Sequence, residues 1–388
     1  MGTRKFGHGL QSIDQIVLTP IVRRALGRDS LTVDTFRSQA LTKSSTSGAG
    51  VYRLSGTGRD SGETLSWSLI LKKAMRATGD EDPTRLNYWK RDFLVYHSGL
   101  LNTLTPGLTA PRCFLSEDTY DTCWLWLEDM AKWDDRPWSL TDFGVAAMHF
   151  GRWNGSFLVE QSYSDHSWLL KGRLRQRAQG IANSGLFADL ADFQQHPLVQ
   201  RSLPDDIVVS MLDLWADRES FLDALDQLPQ TLQHGDAGRK NLYLRRRDTN
   251  QAETIAIDWG WSGIGALGSE LAPLVASASL WFIDVQPEEL PDVEEVALAG
   301  YVEGLRVAGW RGDARLARLG YTASLVLRFA PLLGWFELAV STEEGQAWLR
   351  SFYSQSLEEV ADRIAAIRRF ALSRVHFQRQ LEMDIDDN

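Results

Sequence analysis

The chain has almost no cysteine: two in 388 residues, Cys113 and Cys123. Two thiols cannot build a disulfide framework, and they flank an expected hairpin turn where they could face each other across strands. Both are expected to be reduced and half-buried. An uninterrupted apolar run of membrane length is also missing. The most hydrophobic late segment, LVLRFAPLLGWFELAV, is broken by Arg328 and Glu337, which excludes a spanning helix there. The N-terminal MGTRKFGHGL has no apolar signal core, and Phe6 stands where a myristoylation motif needs Ser or Thr. A cytoplasmic protein with no membrane partner is expected. Basic charge is in deficit as well: the formal net charge is −10, which argues against nucleic acid or an anionic membrane, where Lys and Arg must dominate. There is no tandem repeat and no low-complexity segment, and nothing marks an oligomeric state.

What is present is an ordinary globular balance, 44% hydrophobic and 24% charged, with 15 Trp to supply aromatic surface for a core or a pocket wall. The length suits two lobes better than one core. Ser12 to Leu26 has helical spacing stopped by Gly27, so residues 1–30 are expected to form a helical extension. Residues 31–130 read as a mostly antiparallel sheet with one inserted helix. TVDTFRSQAL, GVYRLSG and TLSWSLILKK are strand-like, with Trp67, Leu69 and Leu71 alternating against Ser68, Ile70 and Lys72. A helix from about Arg85 to Leu101 follows, then the hairpin RCFLSEDTYDTCWLWLEDM. Beyond Met130 the period shifts towards 3.6. Helices are expected from Ser139 or Thr141 onward, at about 167–184, 206–227 and 288–308, and from about Gln355. The fold class is therefore α+β: a small antiparallel-sheet lobe over 31–130 and a larger, mostly helical lobe over 131–388.

One stretch breaks the helical texture: QTLQHGDAGRKNLYLRRRDTNQAETIAIDWGWSGIG, from Gln230 to Gly265. It reads as a loop, a strand NLYL, a turn in which Asp248 and Asn250 act as turn formers, and a strand TIAID. Such a hairpin begins after Asn241 and ends near Asp258. An amide oxygen and a carboxylate are hard ligands suited to Mg2+. Asp236 lies five residues before Asn241 on a loop that Gly235 and Gly238 allow to curl tightly. A carboxylate placed there can orient an attacking hydroxyl and accept its proton. The form is H-x-D-x-x-x-x-N followed by D-x-G. H-G-D-x-x-x-x-N arises by chance in a chain this long roughly once in a few hundred sequences.

These residues resemble the aminoglycoside phosphotransferase and choline kinase superfamily, small-molecule kinases built on the protein-kinase-like fold. HGDAGRKNLYL is similar to their catalytic loop and AIDWGWSGIG to their metal-binding segment. The resemblance implies Asp236 as catalytic base, Asn241 and Asp258 as Mg2+ ligands, and His234 as a support of the loop. It extends from about Thr32 to Leu280. SSTSGAGVY takes the place of the nucleotide-covering loop, so Ser47, Gly48 and Gly50 are implied to approach phosphates through backbone N–H groups. Lys72 is implied to pair with the α- and β-phosphates and Asp92, where the family has Glu, to hold that lysine. Lys73 then points the other way, into solvent. WLWLEDM matches the hinge joining the lobes, with adenine bonded to backbone near Leu127 to Met130, including Glu128 and Met130. Glu270, in GSELAPLV, stands near a family Asp that braces the catalytic loop and is read as structural.

The implied activity is transfer of the γ-phosphate of ATP, or of GTP, to a hydroxyl of a small molecule such as an aminoglycoside or other antibiotic, an amino sugar or a choline-like alcohol. The acidic stretch DVQPEELPDVEE, Asp284 to Glu295, suits a cationic acceptor, or is simply a helix start with acids favoured by the helix dipole. Trp259, Trp261 and Trp281 are either an aromatic wall for an ammonium or sugar, or core. Two alternatives stay open: a kinase for Ser or Thr in a biosynthetic peptide precursor, and a non-catalytic nucleotide-binding module.

Overall fold

A computed structural model of the chain describes residues 13–41, 50–76, 79–131, 136–160, 166–248, 251–281, 284–331 and 334–375. The chain divides into two compact units. One takes residues up to Thr103, Thr109–Asp135 and Ile257–Gly260; the other takes Leu104–Leu108, Arg136–Ala256 and everything from Trp261.

The first unit is built on a five-stranded antiparallel sheet, in the spatial order Thr32–Ala40, Gly50–Asp60, Glu63–Met75, Thr122–Glu128, Cys113–Asp118. Alternation along Glu63–Met75 sorts the two faces. Trp67, Leu69 and Leu71 are buried with Leu18, Ile21 and Val22 of the helix Gln15–Leu26. That helix ends where expected, with Gly27 left-handed at φ 64°. Ile70 and Ala74 point to the opposite face, among Trp89, Phe93, Cys123, Leu125 and Leu127. Lys72 has their parity. Lys73 has the other, and its ammonium lies 5.7 Å over the Trp124 ring rather than in open solvent. The adjacent aromatic face is the reason, since it attracts a cation.

The helix expected over Arg85–Leu101 is only Arg91–His97. Arg91, fully buried, donates to the carbonyls of Pro83, Arg85 and Leu86, which holds the preceding residues in a loop. Gly99, at φ 83°, stops the other end. The cysteines do not face each other: Cys113 pairs with Leu127 and Cys123 with Asp118. Both are free, Cys113 exposed and Cys123 buried.

The second unit is mostly helical. Leu140–Glu160 packs against Leu290–Val307 at backbone contact. A Cβ on Gly151 would lie 2.1 Å from the Tyr301 carbonyl oxygen, and one on Gly304 2.1 Å from that of Met148. Only glycine permits this approach. It brings buried Asn154 into position to donate to the Leu232 carbonyl (2.8 Å) and accept from Tyr301 Oη (2.8 Å). The strand Gln230–Gln233 that leads into HGD is thereby anchored. It pairs antiparallel with Gly263–Ala266. The hairpin is as read: Leu242–Asp248 pairs with Gln251–Ala256, Leu242 opposite Ala256.

Two expected helices are altered. The one at 167–184 is Arg173–Asn183, because Leu170 instead exchanges backbone bonds with Ser262 and Ile264. The one at 206–227 is split at Asp217 into Asp205–Ala216 and Arg218–Gln227. Among the described residues no helix is long and apolar enough to cross a membrane.

Candidate active site

In the first unit three sequence-predicted residues meet. Lys72 Nζ lies 2.7 Å from Asp92 Oδ2 and 2.6 Å from Asp258 Oδ1. Burial disfavours the ammonium, but attraction from Asp258 and then Asp92 outweighs it, so the lysine pKa is raised above its ordinary value. The Asp92 carboxylate, one methylene shorter than Glu, nonetheless also accepts from the Trp259 backbone N–H at 2.9 Å. Asp258 itself has a left-handed backbone, φ 63°, a conformation uncommon outside glycine that Asp and Asn tolerate best. Its neighbour Gly260 gives its carbonyl to Arg91 at 3.0 Å. Two consecutive residues, Arg91 and Asp92, therefore hold the DWG segment. Arg91 was not anticipated, and no periodicity marks a buried arginine at a helix start.

Of the nucleotide-loop candidates, Ser47 and Gly48 lie outside the described residues. Gly50 opens its strand, and a Cβ there would come within 2.6 Å of the Tyr52 ring. At the hinge stretch, Glu128 donates its N–H to the Arg112 carbonyl (2.9 Å) and pairs with the Arg112 guanidinium at 3.3 Å. Met130 is buried. Asp129, between them, accepts from Arg53 at 2.8 Å and also from Ser68, a cross-strand clamp that the sequence gave no sign of.

In the second unit the HGDAGRKN loop is fixed by its own side chains. Glu270 accepts from the His234 N–H at 2.8 Å and the Gly235 N–H at 3.0 Å, so it braces the loop. His234 is fully buried, and its Nδ1 accepts from the Asp236 N–H at 3.2 Å. Gly235 is left-handed at φ 85°, and a Cβ there would strike Arg173 Nη1 and the Trp261 carbonyl. Asn241 donates Nδ2 to the Asp236 carbonyl (2.9 Å) and to Asp236 Oδ2 (3.0 Å). The other carboxylate oxygen, Oδ1, pairs with Arg328, which also donates to the Gly235 carbonyl at 3.0 Å. Asp236 is thus held at both oxygens, in an orientation set before any hydroxyl arrives. Each oxygen retains a second lone pair with which to accept a proton.

Three arginines surround this loop. Arg173 donates to the Trp261 carbonyl (3.2 Å) and to Gln233 Oε1 (3.1 Å). Arg177 and Arg328 lie over the Trp261 ring at 5.2 Å and 5.4 Å. Burial, and then repulsion from Arg328, push Arg173 down to about 10 and Arg177 down to about 9. None of the three was foreseen. Arg173 and Arg177 have the i, i+4 spacing of one helix face, and Arg328 sat in plain view as a charge inside an apolar run.

The acidic stretch behaves as a helix start. Asp284 forms an ion pair with Arg239 at 2.5 Å and accepts from the Trp138 N–H; Glu289 closes a capping box with Gln286; Glu294 pairs with Arg374 at 2.6 Å. Of the tryptophans, Trp259 is core, Trp281 stacks on Tyr353 and lies under Lys240 at 4.7 Å, and Trp261 carries the two arginines.

The residues fit a divalent cation of the hard type. The Asn241 amide commits its nitrogen to the loop, which leaves oxygen as its donor to a cation, and Asp258 is half-exposed with an oxygen already facing a positive charge. Among the described residues no cluster of three or more His, Cys, Asp or Glu could cage a metal, so few protein ligands would share the ion with phosphate oxygens, as Mg2+ prefers.

Residues 166–314 match the family model described as "Phosphotransferase enzyme family", which bears out the resemblance read from the catalytic loop. No curated protein matches the chain. Among solved structures it is similar to an amicoumacin kinase in complex with AMP-PNP and Ca2+, at 15% identity over 86% of this chain and 88% of that one, TM-score 0.47. It is also similar to a spectinomycin phosphotransferase in complex with ADP, at 11% identity over 91% and 99%, TM-score 0.48, and to a Plasmodium vivax ethanolamine kinase, at 10% identity over 89% and 83%, TM-score 0.46.

Proposed function

We propose that this chain, which shares residues 166–314 with the phosphotransferase enzyme family, moves the γ-phosphoryl of ATP, or of GTP, to a hydroxyl of a small molecule. The observation that carries this reading is the Asp236 carboxylate, held between Asn241 and Arg328 on a loop that Glu270 braces. A pure nucleotide binder has no use for an oriented base.

In the proposed reaction Asp236 orients the acceptor hydroxyl and takes its proton. The acceptor oxygen forms a bond to the γ-phosphorus, and the bond from that phosphorus to the β–γ bridging oxygen breaks, so the electron pair leaves with the nucleoside diphosphate. Lys72, kept in place by Asp92, is positioned to meet phosphate oxygens. Asn241 and Asp258 would hold Mg2+, which when bound neutralises charge on the phosphates. Gly50, with Ser47 and Gly48, is assigned to the phosphates and the backbone of Glu128 and Met130 to the adenine. The protein's contribution is mainly positioning and charge complementarity. Phosphorus NMR of ATP incubated with a panel of hydroxyl compounds tests the reading: a new phosphate-ester signal that depends on enzyme, acceptor and Mg2+ supports it, and nucleotide binding with no ester from any acceptor counts against it.

A further inference from the structure

The charge around Asp236 bears on what the acceptor is. The ionic groups that act on the loop within the second unit are Arg173, Arg177, Arg328 and Lys240, whose Nζ lies 3.9 Å from Asp236 Oδ2, against the carboxylates of Asp236 and Glu270. Four cations face two anions. Arg173 and Arg328 are buried, and Arg173 Nε has no hydrogen-bond partner among the described residues. Positive charge in such an environment is costly unless matched. The features that would welcome a cation are spent elsewhere. The Trp261 face on which an ammonium would stack is covered by Arg177 and Arg328, and Asp284, Glu289 and Glu294 are engaged within the fold.

We infer that the hydroxyl phosphorylated here belongs to an anionic molecule, whose carboxylate or phosphate group is met by the guanidinium groups of Arg177 and Arg328 beside Asp236. Guanidinium is well suited to this, because its planar fork matches both anions. Arg328 then has two tasks: it fixes Asp236 through Oδ1 and offers charge to the acceptor. Arg173 is a positioning residue, tied to Gln233 and Trp261.

The inference rests on the phosphotransferase reading, and the test separates the two. D-Gluconate, D-glucitol 6-phosphate, D-glucitol and D-glucamine share a hydroxylated chain and differ in terminal charge. Turnover of ATP with each is compared for the wild-type enzyme and for Asp236→Asn, and calorimetric titration of the same four compounds reads preference without turnover. The expected order in kcat/KM and in affinity is an anionic probe first, D-glucitol next and D-glucamine last. At least about tenfold should separate first from last, as one favourable ionic contact gives. Gluconate against the sugar phosphate tells which anion is preferred. Arg177→Gln should raise KM for the preferred anion about tenfold while changing kcat little, with Arg177→Lys intermediate. Asp236-dependent turnover or binding that favours D-glucamine, or ignores charge, overturns the inference alone. Turnover no greater than that of Asp236→Asn with every probe counts against the phosphotransferase reading, and the titration then decides the charge preference by itself.

Discussion

Lys72 and Asp92 form a partly buried ion pair, 2.7 Å apart, joining the third strand of the sheet to the first turn of the helix Arg91–His97. Asp92 also holds the Trp259 N–H, so a single carboxylate sets both the lysine and the segment that begins at Asp258. Asp92→Asn removes the charge and keeps the shape. It should raise KM for ATP roughly tenfold or more, in line with the 2 kcal/mol or so that breaking such a charged contact costs, and steady-state kinetics at varied ATP read this directly. An unchanged KM would show that Asp92 merely braces the helix.

Asp258 shares the same ammonium. Asp258→Ala should weaken binding of Mg-ATP while leaving binding of metal-free ATP nearly as it was, because the lost group is a cation ligand rather than a phosphate contact. Calorimetry with and without Mg2+ separates the two. Equal losses in both would move Asp258 from metal binding to a purely structural place.

His149 offers a pH signature. Its Nδ1 lies 2.9 Å from Thr254 Oγ1, and burial, aided by Arg152, pushes its pKa down from 6.5 to about 4. The folded-state value is depressed, so the neutral ring stabilises the fold at pH above 6.5. That contribution is lost as pH falls from 6.5 towards 4, when the unfolded chain takes up a proton that the folded chain resists. The full loss is about 2–3 kcal/mol. Denaturant melts at pH 7 and pH 4.5 should show a smaller pH-dependent drop for His149→Gln than for the wild type.

Glu337 and Arg368 are both fully buried and paired at 2.8 Å through two bonds, with Ser202 also donating to the glutamate. Removing one partner strands a charge. Arg368→Met should therefore cost about 3–5 kcal/mol of stability, and the double variant with Glu337→Leu should recover much of it. Thermal unfolding of the three proteins measures the coupling.

The same two charges mark what the sequence showed and what it hid. Arg328 and Glu337 were legible as interruptions of an apolar run, enough to exclude a membrane span. That each is a buried ionic anchor was not, because the partners lie far along the chain: Asp236 is 92 residues from Arg328, and Arg368 is 31 from Glu337. Alternation along one strand, by contrast, sufficed to choose Lys72 over Lys73, because parity is a local property. The hairpin after Asn241 was local in the same way. The helix over Arg85–Leu101 failed where a long-range donor, Arg91, captured carbonyls that helix would have used. The acidic stretch from Asp284 needed the fold to show which way it falls, since capping acids and a ligand rim look alike until their partners are known. The arginines around Trp261 went unnoticed for the same reason.

The central claim is that Asp236 is the base that accepts the acceptor's proton. Asp236→Asn keeps the shape and removes the proton-accepting charge. Calorimetry should show Mg-ATP binding within about twofold of wild type, while phosphoryl transfer to a turned-over acceptor falls about 10²–10⁴-fold, the range that general-base catalysis supplies. Transfer at the wild-type rate with Mg-ATP binding intact would contradict the account.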